Sequence, residues 1–366
     1  MSNLGYKHSG ARALSHSRIE LLNTCGRKFE LEGKLNIRKY ENNMTFAFGH
    51  MFGTGAQAII EGLTLEEALW RVFAEWEIDI EDLGTAAEQK AKKSFWYGIE
   101  ALEYFYDMVH NGETNRQASV IEIDFTQYDI AKITIDNGEI IPANELEVVL
   151  ECGEDFYYEC HIDLVLQHKV TKRFAVLDMK TSSANTMHPA NFNTSPQVTG
   201  YMMCVDAALN KNAEHQEAID STVDFDALYC VYLTKSQTFQ TFKFTKTPLH
   251  RTQWIEYMVS NMDRITRLEE LSDAGLHYPI DSKGCFAYFR PCYFNGNCHL
   301  PNEVLGAQPE MGQAFDLDET PPHLTVTLDS LIERQEHLLE TAEVTDIIIT
   351  DAGTSSGLAL LQEMTI

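Results

Sequence analysis

The sequence predicts a mixed α/β (α+β) fold, with a central mixed β-sheet flanked by helices and an N-terminal helical subdomain. Three observations predict it. Residues 15–110 are patterned mainly as helices, the texture turns β-rich at Ala118, and from Pro196 onward helix, hairpin and helix follow one another. The 366 residues thereby divide into 1–117, 118–300 and 301–366, enough chain for one large core or two ordinary ones.

Ser15 to Lys28 reads as the first helix, with Ser15 or Ser17 as N-cap and Ile19, Leu22 and Phe29 near one face. Gly49 to Gly62 reads as a turn opening a tightly packed helix. Thr64 to Trp76 carries Leu65, Leu69, Val72 and Phe73 on one stripe, with Thr64 and Glu67 as a capping box. Ala86 to His110 continues as helix. Val120–Phe125, Glu145–Glu151, Phe156–Gln167 and Arg173–Lys180 are strands by composition. Pro196–Ala208 is a helix, Phe225–Leu233 and Thr238–Phe244 form a hairpin, and Pro248–Leu271 is a long helix. Beyond Pro301 the chain turns acidic and weakly patterned, so 301–366 is expected to be peripheral or poorly ordered, with one helix at Ser330–Thr341.

The net charge is −27, and from Pro301 to Ile366 thirteen acidic residues face one basic residue, Arg334. The remaining chain still carries about −15. Such a surface excludes broad, counterion-driven binding of nucleic acid. No apolar run approaches a bilayer span, and the polar start, Met1 to Ala13, lacks an apolar signal centre, so a cytoplasmic protein is expected. The eight cysteines then read as free thiols or metal ligands.

Chemistry concentrates at Asp178-Met179-Lys180. Acid-x-Lys recurs at Glu32-Gly33-Lys34, Glu88-Gln89-Lys90 and Asp281-Ser282-Lys283, but only Asp178 and Lys180 end a strand-like run, Phe174 to Leu177. Residues i and i+2 of a strand share a face, so an acid and a lysine project side by side where the chain leaves the sheet. Asp163 lies in the preceding strand, and hairpin pairing would bring it beside Asp178. Two carboxylates so placed call for a cation, and oxygen ligands suit Mg²⁺ or Mn²⁺. Gln197 and Tyr201, at i and i+4 of the next helix, share a face toward a substrate. The plainer reading makes Asp163 a turn or pairing residue and Asp178–Lys180 an exposed ion pair; the order of all five residues favours phosphodiester hydrolysis.

These residues resemble the motif series of RecB-like PD-(D/E)XK nucleases. Asp163 is similar to the acid of Gly-x-x-Asp, Asp178 and Lys180 to Asp-x-Lys, and Gln197 and Tyr201 to Gln-x-x-x-Tyr. Ser15-His16-Ser17-Arg18-Ile19 followed by Cys25-Gly26-Arg27-Lys28-Phe29 resembles the family's opening helix. Gly53-Thr54-Gly55-Ala56-Gln57 resembles Gly-x-x-x-His, with Gln57 in the metal-binding histidine's place and His50 as an alternative ligand. The resemblance implies a restriction-endonuclease-like core, metal ligands Asp163, Asp178 and Gln57, and a DNA exonuclease acting on ends or single strands. Its setting would be DNA repair, recombination or phage replication, with a protein partner delivering DNA to so acidic a chain. The alternative is a catalytically weak DNA- or partner-binding scaffold.

Cys25, Cys285, Cys292 and Cys298 resemble the layout that holds a [4Fe-4S] cluster in several of these nucleases, with Cys-x6-Cys-x5-Cys spacing instead of Cys-x2-Cys-x5-Cys. Zinc, with His299 as a spare ligand, and thiols packed among Phe286, Tyr288, Phe289, Tyr293 and Phe294 are the alternatives. Cys152, Cys160, Cys204 and Cys230 read as core residues.

Overall fold

The computed structural model describes residues 10–39, 44–76, 78–82, 84–111, 120–153, 155–211, 225–287, 290–307, 311–313 and 321–341. Tyr288 and Phe289 lie outside them, as does 342–366. Fifteen elements position the site. They are β1 (Ala13–Leu14), α1 (His16–Thr24), α2 (Met44–Ile60), α3 (Leu65–Glu75), α4 (Phe95–His110), β2 (Tyr128–Ile130), β3 (Asn144–Glu151), β4 (Tyr157–His168) and β5 (Phe174–Ser182), then α5 (Pro196–Lys211), β6 (Phe225–Leu233), β7 (Thr238–Lys246), α6 (Pro248–Asp273), β8 (Leu324–Thr327) and α7 (Leu328–Thr341).

The main sheet runs β7-β6-β5-β4-β3-β8, and β1 and β2 pair with β4 off that path. It is mixed, as predicted: β5–β6 and β3–β8 are parallel, while β3–β4, β4–β5 and β6–β7 are antiparallel. β6 is buried at every position, which fits a strand covered on both faces. One face packs under α2 and α4, where Phe52, Phe105, Tyr232 and Phe239 stack in one aromatic group. Gly55 lets α2 approach α4, since a Cβ there would meet Leu102 Cδ1 at 2.4 Å. The other face packs under α5, α6 and α7 through Val198, Met202, Ile255, Met258 and Leu331.

Local chemistry explains the element boundaries. Ser15 caps α1 by accepting from the Arg18 N–H, Thr64 and Glu67 complete the expected capping box on α3, and Pro248 opens α6 after Thr247. The first helix is shorter than expected: it ends at Cys25, whose extended backbone (φ −164°) starts a new turn, Gly26–Lys28, which runs into a π-helical turn, Phe29–Lys34. The long helix expected from Ala86 breaks between Lys90 and Phe95, where Lys92 adopts φ +52°. Gly49–Gly62 is not opened by a turn, because α2 starts at Met44 and passes through the glycines. Val120–Phe125 contributes only a single bridge, Val120 to Gln240, and then a 3-10 turn at Phe125–Gln127.

The largest departure lies in the acidic segment. Leu324–Thr327 is a strand of the main sheet, in parallel register with Val148–Glu151, and α7 follows it without a break. Arg334 of α7 is buried and, with Arg251 of α6, meets Asp206 of α5, at 3.3 and 3.1 Å. Composition hid this because four residues of strand and one buried arginine weigh little against thirteen acids.

Candidate active site

The ladder between β4 and β5 runs from Gln167↔Phe174 to Leu164↔Leu177 and ends there. The next pair in register is Asp163 and Asp178. β5 continues beside β6 as far as Ser182 and β4 beside β3 as far as Tyr157, so the sheet opens between β4 and β5 at the two aspartates. β1 pairs with β4 at Tyr157 and Tyr158, and α1 begins two residues after β1 ends. The sequence reading placed Asp163 next to Asp178, and the register bears it out.

Asp178 is buried and accepts a hydrogen bond from Lys180 Nζ on Oδ1 at 2.9 Å. Lys180 also donates to Gln197 Oε1 at 3.1 Å, and Gln197 Nε2 donates to the Tyr201 hydroxyl at 3.1 Å. Four of the predicted residues are thus joined in one relay, with α5 delivering the last two at one-turn spacing. The other three Acid-x-Lys triplets have structural roles. Glu88 closes a capping box with Thr85, Asp281 caps a 3-10 turn, and Glu32 pairs with Lys28.

Charge at the split is unbalanced. Burial and then Asp178 push the Asp163 carboxyl up to about 7, Glu145 adds to the effect, and Lys180 and the Met179 N–H oppose it. Burial works against the charge on Lys180, but Asp178 and Asp163 outweigh it and raise the lysine above its ordinary value. Lys180 is therefore an ammonium at neutral pH. His16, at the start of α1, was missed by the sequence reading; burial and the positive Lys180 lower it to about 4, so it is a neutral imidazole at the same mouth. Glu145 was missed too. Its carboxyl is raised by the dense surroundings and then by Glu75, Glu61 and Glu147, although its side chain meets solvent.

Among the described residues, Gln57 has no hydrogen bond to Asp163 or Asp178. It is buried, and its Nε2 donates to Glu61 Oε1 at 3.2 Å, which also accepts from Asn144 Nδ2 at 2.6 Å. His50 lies with Glu75 instead, Nε2 to Oε2 at 3.3 Å. Among the described residues, no group of three or more His, Cys, Asp or Glu stands in finished metal geometry. The donor set nevertheless fits a hard cation: Asp178 Oδ2 is buried without a hydrogen-bond partner among the described residues, beside a second carboxylate.

Cys25, Cys285, Cys292 and Cys298 line one small cavity of about 20 Å³, together with Arg27, Lys28 and Leu31. Gly284 permits the approach, since a Cβ there would lie 2.7 Å from Cys25 Cβ. The surroundings are tied without any metal: buried Arg27 donates to Glu30, to Asn302 and to the carbonyls of Cys298 and Leu300. The other four cysteines are buried as expected, with Cys160 and Cys204 sulfurs 3.6 Å apart.

Among the described residues no helix is long and apolar enough to cross a membrane. No curated protein matches the chain. At family level, residues 13–299 match the PD-(D/E)XK nuclease superfamily, and the chain belongs to it.

Proposed function

We propose that this chain is a Mg²⁺- or Mn²⁺-dependent deoxyribonuclease of the RecB-like branch, working as an exonuclease on DNA ends or single strands in DNA repair, recombination or phage replication. The observation that carries the reading is the buried, unpartnered Asp178 oxygen beside a charged lysine and a second carboxylate at one sheet level. Asp163 and Asp178 would hold the cation. Bound there, it supplies Lewis acidity toward the scissile phosphate.

The chain's own residues supply charge and position. Lys180, held as an ammonium, does not take a proton at neutral pH; it offers its charge to the pentavalent phosphate as negative charge builds on the oxygens. Its two hydrogen bonds, to Asp178 and Gln197, fix where that charge sits. Gln197 and Tyr201 orient it from α5. Neutral His16 presents a ring nitrogen without adding positive charge, and the α1 N-terminus adds a favourable dipole for phosphate. With a net charge of −27, the chain does not gather DNA by counterion release, which supports delivery of DNA by a protein partner.

Incubating wild-type protein with linear and single-stranded DNA and either metal tests the reading. Degradation that vanishes in Asp178→Ala and Lys180→Ala is expected. Intact DNA under every condition sinks the nuclease and leaves a DNA- or partner-binding scaffold.

The four thiols around one cavity support a second, structural group, either Zn²⁺ or a [4Fe-4S] cluster. A cavity of about 20 Å³ matches a single ion, and a four-iron cluster would require its walls to part. Iron and zinc content of anaerobically purified protein distinguishes the two, and protein with neither metal removes both.

A further inference from the structure

We propose that Glu145 is a third carboxylate ligand of the cation held by Asp163 and Asp178, in the place that Gln57 leaves unfilled. The proposal rests on the nuclease reading above and assigns a residue that the sequence motifs do not reach.

Register is the first support. Asn144↔Leu164 and Leu146↔Ile162 flank Glu145 and Asp163, which therefore face each other across β3 and β4 without forming a bridge of their own. On the opposite flank of β4, the pair after Leu164↔Leu177 is Asp163 and Asp178. Three carboxylates thus lie at one level on three adjacent strands. Paired strands are about 4.8 Å apart, so Glu145 stands roughly that far from Asp163 across β3 and β4, and its longer side chain can reach a cation held where β4 and β5 part.

The second support is a hydrogen-bond deficit at Asp178. Among the described residues, the buried Asp178 Oδ2 has no hydrogen-bond partner, a deficit that a cation would relieve. The third is the disposition of charge. Lys180 is engaged by Asp178 and Arg71 by Glu61, and no ion pair to Glu145 is found among the described residues. Glu145 also holds a left-handed backbone, φ +46°, which a non-glycine residue adopts at a cost. The Gln57 amide nitrogen is engaged by Glu61. Through Glu61 it steadies Asn144, the neighbour of Glu145, and so acts as a positioning residue.

Calorimetric titration of the full chain with Mn²⁺ tests this, alongside metal-free melting of the same proteins. Glu145→Gln and Glu145→Gly should each weaken Mn²⁺ binding by about tenfold or more, Gln57→Ala by no more than about threefold, and Asp178→Asn should remove it. Metal-free Glu145→Gly should melt above wild type, because it relieves both the backbone strain and the crowding of like charges; a merely structural role predicts the opposite. Wild-type affinity in Glu145→Gln, with binding lost in Asp178→Asn, overturns the assignment of Glu145 and leaves the nuclease reading intact. An equal loss in Gln57→Ala returns the ligand role to position 57. A wild-type protein that binds no Mn²⁺ overturns this proposal and the metal-dependent reading together.

Discussion

Helix α5 carries two buried carboxylate systems with opposite charge balance. At its N-terminal end, Gln197 and Tyr201 reach the split between β4 and β5, where Asp163 and Asp178 share one lysine and an oxygen is left unpaired. Farther along, Asp206 takes Arg251 and Arg334, all three side chains essentially without solvent exposure. Among the described residues, one lysine stands against two acids in the first system, and two arginines converge on Asp206 in the second. The difference separates the candidate metal centre from a clasp that fastens α5, α6 and α7. A buried charge needs partners, and where the protein does not provide them something else must.

The sharpest way to break this contrast is to remove one charged partner from each system. Asp206→Ala leaves two buried guanidinium groups without their shared partner and should cost about 3–5 kcal/mol in chemical unfolding, with activity per folded molecule unchanged. A loss below about 1 kcal/mol would mean that Asp206 is no clasp. Lys180→Ala should do the reverse, lowering turnover about 10²–10³-fold with little change in melting temperature.

A gentler test uses pH. Asp163 is raised to about 7 in the folded chain against the ordinary 3.8, so the native state holds its proton longer than the unfolded state. Between about pH 4 and 7 the native state therefore binds more protons, and metal-free stability contributed by this group falls as pH rises. His16, held near 4, works oppositely and costs stability as pH falls below 6.5. Comparing unfolding of wild type and Asp163→Asn across pH 4–8 isolates the first effect; identical slopes would remove it. The smallest expected change is for Tyr201→Phe, which deletes the hydroxyl that accepts from Gln197. A decrease in turnover of about tenfold or less, at unchanged Mn²⁺ affinity, would place Tyr201 in positioning rather than in metal binding.

Much of the candidate site was legible because its signals are local. Asp178 and Lys180 stand two apart at the end of an apolar run, and Gln197 and Tyr201 four apart on a helix, so strand and helix periods place each pair without knowledge of the fold. The capping box at Thr64 and the hairpin of β6 and β7 were legible for the same reason. The edge strand β8 was not, because its partner β3 lies more than 170 residues away and nothing in Leu324–Thr327 names it.

Sequence alone therefore determined the candidate residues and the order in which they occur: two aspartates, a lysine and an amide–phenol pair on successive elements. Tertiary structure decided what it does not contain. Register set Glu145 across from Asp163, the parting of β4 from β5 left Asp178 with an unpaired oxygen, and α1 brought His16 to the mouth. It also settled the protonation of Lys180, since the balance between burial and two neighbouring carboxylates depends on distances that only the folded chain sets.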